Sequence, residues 1–134
     1  MTTAPTVLVI EDSPVVQHVL RATLTPLGVD LLMAADGETG LELARSHQPE
    51  LITLDIGLPG INGWEVLTAL RGRSETVDIR VVVLTAHVQE SMMQMAVELG
   101  ADGFLPKPFQ PEQLRSEVAS LLEPSHLVQL AAGL

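Results

Sequence analysis

Charged or hydroxyl side chains stand at the ends of four apolar runs in this sequence. Glu11 and Asp12 follow the run TVLVI, Asp55 follows LITL, Thr85 ends RVVVLT, and Lys107 follows GFLP. A carboxylate at the end of a buried run is costly to desolvate, although a single case could simply open a turn. Because four runs end in this way, we predict that these side chains meet at a common site.

The chemistry that this set suits is that of a divalent cation and a phosphoryl group. Three carboxylates against one ammonium leave about two uncompensated negative charges, which either raise the carboxylate pKa values or attract a cation. Mg²⁺ prefers one or two carboxylates, waters and a substrate phosphate. We therefore expect Glu11 and Asp12 to hold Mg²⁺, and Asp55 to be a nucleophile that forms an aspartyl-phosphate. Lys107 and Thr85 would pair with phosphoryl oxygens, by charge and by a hydroxyl hydrogen bond.

Short runs rich in β-branched residues alternate with helix-like segments along the chain. The first, third and fourth runs are almost continuously apolar, as in strands of a parallel sheet that is covered on both faces. The predicted strands are Thr6–Ile10, residues 29–35, residues 51–54, Arg80–Thr85 and Gly103–Pro106. Because a helical segment follows each strand, we predict an α/β fold with a doubly wound parallel sheet. Ligands of such sheets bind beyond the carboxyl ends of the strands, where the polar residues would lie.

The helical segments carry apolar residues at core spacing and have start and stop signals. Ser13 and Pro14 form an N-cap and first-turn pair for the first helix, which should end near Leu27 and Gly28. Gly100 should close the fourth helix. The segments after the first are GETGLELARSH, GWEVLTALRGR, QESMMQMAVELG and QPEQLRSEVASLLE.

The composition limits the function classes. The chain has 134 residues, of which 46% are hydrophobic, and this suits a single domain with its own core. Its formal net charge is −10, and so acidic a surface repels nucleic-acid phosphates. The chain has no cysteine, no apolar stretch of roughly 20 residues that could span a membrane, and no basic segment at its start typical of a signal peptide. A cytoplasmic protein that contacts neither nucleic acid nor membrane is the simplest expectation.

Four motifs together resemble the receiver domain of two-component response regulators, which is CheY-like. They are VLVIEDSP, ITLDIGLPGINGWEV, VVVLTAH and GADGFLPKPF, in the family's order and at its spacings, within about residues 6–122. The resemblance implies a flavodoxin-like sheet of five strands in the order 2-1-3-4-5, with two helices on one face and three on the other. It also implies that Asp55 accepts a phosphoryl group from a partner histidine kinase or histidine phosphotransferase. The chain would be a regulatory domain and not an enzyme, apart from catalysing its own phosphorylation and dephosphorylation.

The resemblance further implies how Mg²⁺ is held. Asp12 and Asp55 would ligate the ion directly, and Glu11 would act mainly through a bound water. The backbone carbonyl of Gly57 would supply another ligand.

Two residues near the site are candidates for setting the lifetime of the phosphoryl group. Gly57 stands two residues after Asp55, where the family more often has a larger side chain. Because a glycine there could admit an attacking water, we hypothesise a short-lived phosphoryl group unless His87, two residues after Thr85, shields it. The alternative for His87 is an exposed loop histidine.

The residues of a conformational switch can be carried over in the same way. Thr85 and Lys107 match the family's switch threonine and phosphate-binding lysine, Phe104 matches its aromatic switch position, and Pro108 matches its usual cis proline. Phosphorylation would add nearly two negative charges at Asp55 and draw Thr85 toward them, so that Phe104 fills the vacated space. The face of the fourth helix, fifth strand and fifth helix would then change. The alternative for Phe104 is a fixed core phenylalanine.

Two apolar pairs beside the predicted core positions are candidate partner surfaces. Val15 and Val19 on the first helix could dock a histidine-bearing helix, or they could pack in the core. Met93 and Val97 on the fourth helix could form an adaptable surface for a downstream target, which the sequence does not name.

The chain is predicted to contain a receiver domain over residues 1–123 and a tail over residues 124–134. It is either a stand-alone regulator, a receiver from a hybrid kinase or longer regulator, or a constitutive binding module that needs no phosphorylation. Two alternatives of other classes fit less well. A phosphohydrolase of the haloacid-dehalogenase type would want an aspartate in place of Gly57. A flavodoxin-like electron carrier would want a Ser/Thr-rich phosphate loop where Glu11 and Asp12 stand.

Overall fold

The computed structural model describes residues 4–86 and 89–122 of the chain. Within these residues, strands alternate with helices: β1 Thr6–Ile10, α1 Pro14–Leu24, β2 Asp30–Ala34, α2 Gly37–His47, β3 Leu51–Asp55, α3 Gly63–Arg71, β4 Arg80–Thr85, α4 Glu90–Glu98, β5 Gly103–Pro106 and α5 Pro111–Leu122. All paired strands are parallel, and their order is β2-β1-β3-β4-β5. The predicted doubly wound α/β fold and its strand order are therefore confirmed.

The sheet is covered on both faces, which explains the continuous apolar runs of its central strands. Every residue of β3 is buried. Because side chains alternate along a strand, Leu8 and Ile52 enter one core, to which α2 and α3 contribute, while Val7 and Leu51 enter a second core with α1 and α5. Leu99, directly after α4, packs on the first core. Both cores hold the central strands rigidly, so that the residues at their carboxyl ends have fixed positions.

Side-chain caps fix the loops from which three of the helices start. Ser13 Oγ accepts a hydrogen bond from the third residue of α1, and Asp36 caps α2 in the same way. Asn62 and Glu65 form a reciprocal capping box at the start of α3. Gln89, which precedes α4, makes no side-chain cap. Across the described residues, no helix combines the length and apolar character that a membrane crossing requires.

The first helix is shorter than predicted. It ends at Leu24 and not near Leu27, and a 3₁₀ turn over Thr25–Leu27 follows it. Pro26 has no N–H to donate and its ring crowds the preceding turn, so the α-helix cannot continue through it. Gly28, with φ of 73°, then reverses the chain in a conformation that suits glycine.

Smaller differences affect several other boundaries. β2 is one residue shorter at each end than the predicted residues 29–35, and α3 ends at Arg71, two residues early. β3 extends one residue further than predicted, to Asp55, because Asp55 still pairs with Leu84 of β4. Gly100 follows α4 with φ of 93°, which confirms its predicted role at the end of that helix.

Candidate functional site

The residues predicted to act together lie at the carboxyl end of the sheet. β1, β3, β4 and β5 are neighbours in that order, so the residues that follow them lie side by side. Lys107 Nζ is 2.6 Å from Glu11 Oε1 and 3.2 Å from Asp55 Oδ1. Carboxylate oxygens of Glu11, Asp12 and Asp55 lie within 4.8 Å of one another. Thr85 is buried at the end of β4, and its carbonyl accepts a hydrogen bond from the Lys107 N–H at 2.8 Å.

Asp55 is oriented by the turn that follows β3. The residue is 7% exposed, and its Oδ1 accepts a hydrogen bond from the Gly57 N–H at 3.1 Å. The Ile56 N–H donates to the Leu84 carbonyl, so the chain stays attached to β4 beyond the end of the strand. Gly63, the first residue of α3, packs so closely that a Cβ there would lie 2.5 Å from the Asp55 carbonyl oxygen. The turn and the start of α3 together fix where the carboxylate points.

Glu11 is held more firmly than Asp12. It is 1% exposed, and its two carboxylate oxygens accept hydrogen bonds from Lys107 Nζ at 2.6 Å and from the Ser13 N–H at 3.1 Å. Its backbone carbonyl accepts a further hydrogen bond from Gln17 Nε2 at 2.6 Å. Asp12 is exposed, and among the described residues no hydrogen bond reaches its carboxylate. The site therefore combines a fixed buried carboxylate with an exposed one.

Burial and electrostatic attraction have opposite effects on the pKa values of Glu11 and Lys107. Burial raises the pKa of the Glu11 carboxyl group above its ordinary value, although hydrogen bonds from Lys107 and Ser13 oppose this. Burial alone would lower the pKa of Lys107, but its hydrogen bond to Glu11 and the nearby charge of Asp55 outweigh it, so that this pKa is raised. The ammonium group thus stays charged while the cost of ionising Glu11 remains.

The donor set fits a divalent cation. Three carboxylates converge and one of them, Asp12, is exposed, which leaves room for waters and an incoming phosphate. Lys107 compensates about one of the negative charges, and oxygen ligands of this kind are those that Mg²⁺ prefers. The residues present would therefore hold Mg²⁺ through carboxylate oxygens.

Three further predicted residues surround the cluster. Gly57 is exposed, and a Cβ added to it would lie 3.9 Å from Asp55 Oδ1, so a side chain there would stand beside the carboxylate. Phe104 is partly buried and packs on the core shared with α2 and α3. The peptide bond before Pro108 is cis. His87 lies outside the described residues.

Both candidate partner surfaces are open to solvent. Val15 and Val19 on α1 are 73% and 42% exposed, and Met93 and Val97 on α4 are 46% and 73% exposed. Core packing, the alternative for the α1 pair, is therefore wrong.

Two residues that shape the site were not predicted. Gly63 approaches the Asp55 backbone, and a glycine at the first position of a helix could have indicated such close contact. Gln17 contacts the Glu11 carbonyl from six residues away, and a half-buried glutamine in a helix carries no distinctive signal.

Comparison with known proteins points to one family. A sequence model described as the response regulator receiver domain matches residues 7–119. RpaA of Synechocystis, named as a DNA-binding dual master transcriptional regulator, is 37% identical over 128 residues, which is 96% of this chain and 53% of RpaA. The solved structure of the chemotaxis response regulator CheY4 of Vibrio cholerae matches with a TM-score of 0.83 and 29% identity, and the match covers 89% of this chain and 99% of that one. The chain spans about half the length of the curated relatives it matches.

Proposed function

Because the chain belongs to the response regulator receiver domain family, we propose that it is a phosphorylation-controlled switch whose phosphoacceptor is Asp55. The donor would be the phosphorylated histidine of a kinase or phosphotransferase. The observation that carries this proposal is the pairing of Asp55 with Lys107 at 3.2 Å, next to two further carboxylates at the edge of the sheet. This arrangement offers a nucleophile, a cationic partner for the phosphoryl group and ligands for a metal ion.

In the proposed reaction, a carboxylate oxygen of Asp55 attacks the phosphorus of the phosphohistidine. The new O–P bond forms as the P–N bond breaks, and the electron pair of that bond goes to the imidazole nitrogen of the partner. Lys107 would exchange its contact with Glu11 for one with a phosphoryl oxygen, and the Thr85 hydroxyl would donate to another.

The metal site would be built from the carboxylates that converge on Asp55. Asp12 and Asp55 would ligate Mg²⁺ directly, Glu11 would act through a water, and the carbonyl of Gly57 would add a ligand. When bound, Mg²⁺ offsets the negative charge of the phosphoryl oxygens.

The response to phosphorylation would spread through Thr85 and Phe104. The added charge at Asp55 draws Thr85 inward, and Phe104, which is only partly buried, follows. This would change the face formed by α4, β5 and α5. Met93 and Val97 on α4 are exposed and suit a downstream protein partner. The change is a shift between existing states, and moving from mostly inactive to mostly active needs roughly 5.5 kcal/mol.

The direct test is intact-mass measurement after incubation with a small-molecule phosphodonor and Mg²⁺. We expect one added phosphoryl group in the wild type and none in Asp55→Asn. Asp78→Asn, which alters an exposed loop carboxylate, should behave as the wild type does. An unmodified wild-type protein that is folded and supplied with Mg²⁺ would favour the constitutive binding module instead.

The lifetime of the phosphoryl group is proposed to depend on the open side of Asp55. Gly57→Met would place a side chain beside the carboxylate and should slow hydrolysis of the aspartyl-phosphate, as followed by loss of the added mass with time. His87→Ala should speed hydrolysis if His87 shields the group. An unchanged rate in either variant would refute the shielding hypothesis.

The partner proposals follow the family and the charge of the chain. Val15 and Val19 suit the helix that bears the donor histidine, because both are exposed. A net charge of −10 disfavours DNA binding by this chain itself, whereas the name of the longer RpaA describes DNA binding. A cytoplasmic location, a domain over residues 1–123 and a tail over residues 124–134 remain predictions; residues 123–134 lie outside the described part of the chain.

A further inference from the structure

We infer that Gln17 is a positioning residue for the acidic pair, because its side-chain amide fixes the peptide between Glu11 and Asp12 and so presents the Asp12 carboxylate to Mg²⁺. This inference rests on the proposed function, since it assumes that Asp12 binds the cation. Gln17 acts through the backbone: its amide donates to the Glu11 carbonyl oxygen at 2.6 Å.

The contact between Gln17 and the Glu11 carbonyl lies just beyond the carboxyl end of β1. The Glu11 N–H still donates to the Ala34 carbonyl of β2 at 2.9 Å, but β1 has ended at Ile10. The next group, the Glu11 carbonyl, is the one that Gln17 reaches from the fourth position of α1. Gln17 also donates its own N–H to the Ser13 carbonyl at 2.9 Å, so its side chain projects from a helical turn that is already fixed. The peptide after Glu11 is thus held between a strand and a helix.

Asp12 depends on this anchor more than Glu11 does. The Glu11 carboxylate accepts two hydrogen bonds, from Lys107 Nζ and from the Ser13 N–H. Asp12 is exposed, and within the described ranges its carboxylate accepts no hydrogen bond. The backbone that precedes Asp12 therefore sets the direction in which its Cα–Cβ bond leaves the chain, and nothing else among these residues orients the side chain. Outer-shell partners that orient a metal ligand commonly contribute tenfold or more to metal affinity.

A purely structural role is the competing explanation. In that case Gln17 would only satisfy a carbonyl at a strand end, which contributes about 1 kcal/mol to stability and nothing specific to the metal. The two roles differ in what they change: positioning alters Mg²⁺ affinity, whereas satisfying a carbonyl alters the free energy of unfolding without Mg²⁺.

Two substitutions that both remove the donor, one neutral and one negatively charged, separate these roles. Gln17→Met keeps the length and helix preference but removes the donor. Gln17→Glu also removes the donor, and its carboxylate adds a negative charge that by itself would tighten cation binding. Mg²⁺ affinity is measured by isothermal titration calorimetry and the unfolding free energy by urea titration without Mg²⁺. Gln113→Glu on the exposed side of α5 is the matched control for the added charge.

We expect the Mg²⁺ dissociation constant to rise about tenfold in Gln17→Met and to rise in Gln17→Glu despite the extra charge. Gln113→Glu should leave it unchanged. An unchanged constant in Gln17→Met, or tighter binding in Gln17→Glu, would overturn the inference. If Gln17→Met fails to fold, Gln17→Asn, whose shorter side chain cannot reach the carbonyl, gives the same reading.

The wild-type titration tests the underlying proposal separately. If the wild type shows no Mg²⁺ binding that Asp12→Asn abolishes, the proposed function loses its cation and the inference falls with it. If the wild type binds Mg²⁺ and the Gln17 variants bind it with the same affinity, the inference alone is wrong.

Discussion

At the scale of single residues, the site is a balance between burial and pairing. Glu11 and Lys107 form a short contact, yet burial still raises the pKa of Glu11, so the ion pair does not fully offset the cost of desolvation. Asp55 adds a further negative charge beside them. An incoming cation would relieve this excess, and a phosphoryl group would take over the ammonium of Lys107. Without ligands, the burial of these charges thus destabilises the folded protein, and bound ligands would reduce this free-energy cost.

This cost predicts a pH dependence of stability that Glu11→Gln removes. Because the pKa of Glu11 is raised on folding, its contribution to stability is fully present below the ordinary value of 4.5 and is lost as pH rises through the raised value. We therefore expect the unfolding free energy of the wild type, relative to Glu11→Gln, to fall as pH rises from below 4.5 toward neutrality. Urea titrations of both proteins without Mg²⁺ across that range measure the difference. Parallel curves would contradict the assigned direction.

A second residue-scale prediction concerns a buried hydroxyl in the middle of the sheet. Thr53 lies between Val9 and Val82 and is 0% exposed, and among the described residues its Oγ1 has no hydrogen-bond partner. Thr53→Val should raise the unfolding free energy by about 1 kcal/mol, because it removes an uncompensated polar group. Thr76→Val is the control with the opposite sign. The Thr76 hydroxyl donates to the Leu70 carbonyl at 2.7 Å, so its loss should destabilise by about 1 kcal/mol in the same urea titration.

At the scale of elements, the alternation of strands and helices was predictable, and with it the edge where the site lies. Apolar runs and capping residues are local signals, and the strands β1, β4 and β5 have the predicted bounds. The end of α1 was missed because Pro26 tightens the chain into a 3₁₀ turn, whose bounds depend on the following residues. The convergence of Glu11, Asp55 and Lys107 was predicted from the polar residues that end the apolar runs, whereas the strand order that makes those ends neighbours came from the resemblance.

Contacts made by long side chains were not predictable. Arg71, the last residue of α3, donates to the carbonyls of Gly100, Val77 and Ile79 and pairs with Asp102 at 3.1 Å. This joins the end of α3 to the segments that precede β4 and β5. Nothing in the sequence near Arg71 indicates these partners, because they approach only in the folded chain. The same holds for the contact of Gln17 with the Glu11 carbonyl.

The close approach of α3 to β3 gives a prediction at this scale. A Cβ at Gly63 would lie 2.5 Å from the Asp55 carbonyl oxygen and 2.6 Å from the Ile56 Cα, and both are backbone atoms that cannot move cheaply. Gly63→Ala should lower the unfolding free energy by about 1–3 kcal/mol and reduce phosphoryl acceptance at Asp55. Gly72→Ala is the matched control, since a Cβ there would lie 3.4 Å from the nearest atom, the Thr68 carbonyl oxygen. Equal stability and equal phosphorylation of the two variants would contradict the tight packing.

At the scale of the whole molecule, the charge of the surface and the charge of the site have the same sign. The chain carries −10 in total, and three of its carboxylates converge on one edge of the sheet. These negative charges repel one another, which destabilises the folded state, and they attract cations in general. A stabilising effect of Mg²⁺ could therefore come from the site or from screening of the whole surface, and the two must be separated by experiment.

Mg²⁺ that binds the folded chain alone should raise its unfolding free energy by RT ln(1 + [Mg²⁺]/Kd), or about 2.7 kcal/mol at a hundredfold excess over Kd. Asp12→Asn should lose most of this gain, whereas Asp30→Asn, which changes an exposed carboxylate at the start of β2, should keep it. Urea titrations with Mg²⁺ and with NaCl of the same ionic strength distinguish the sources, because screening responds to ionic strength and not to the identity of the cation. If NaCl stabilises as much as Mg²⁺ and Asp12→Asn responds as the wild type does, surface screening is the cause. A gain specific to Mg²⁺ and dependent on Asp12 can only come from the carboxylate cluster, because the two aspartate variants remove the same charge from the chain.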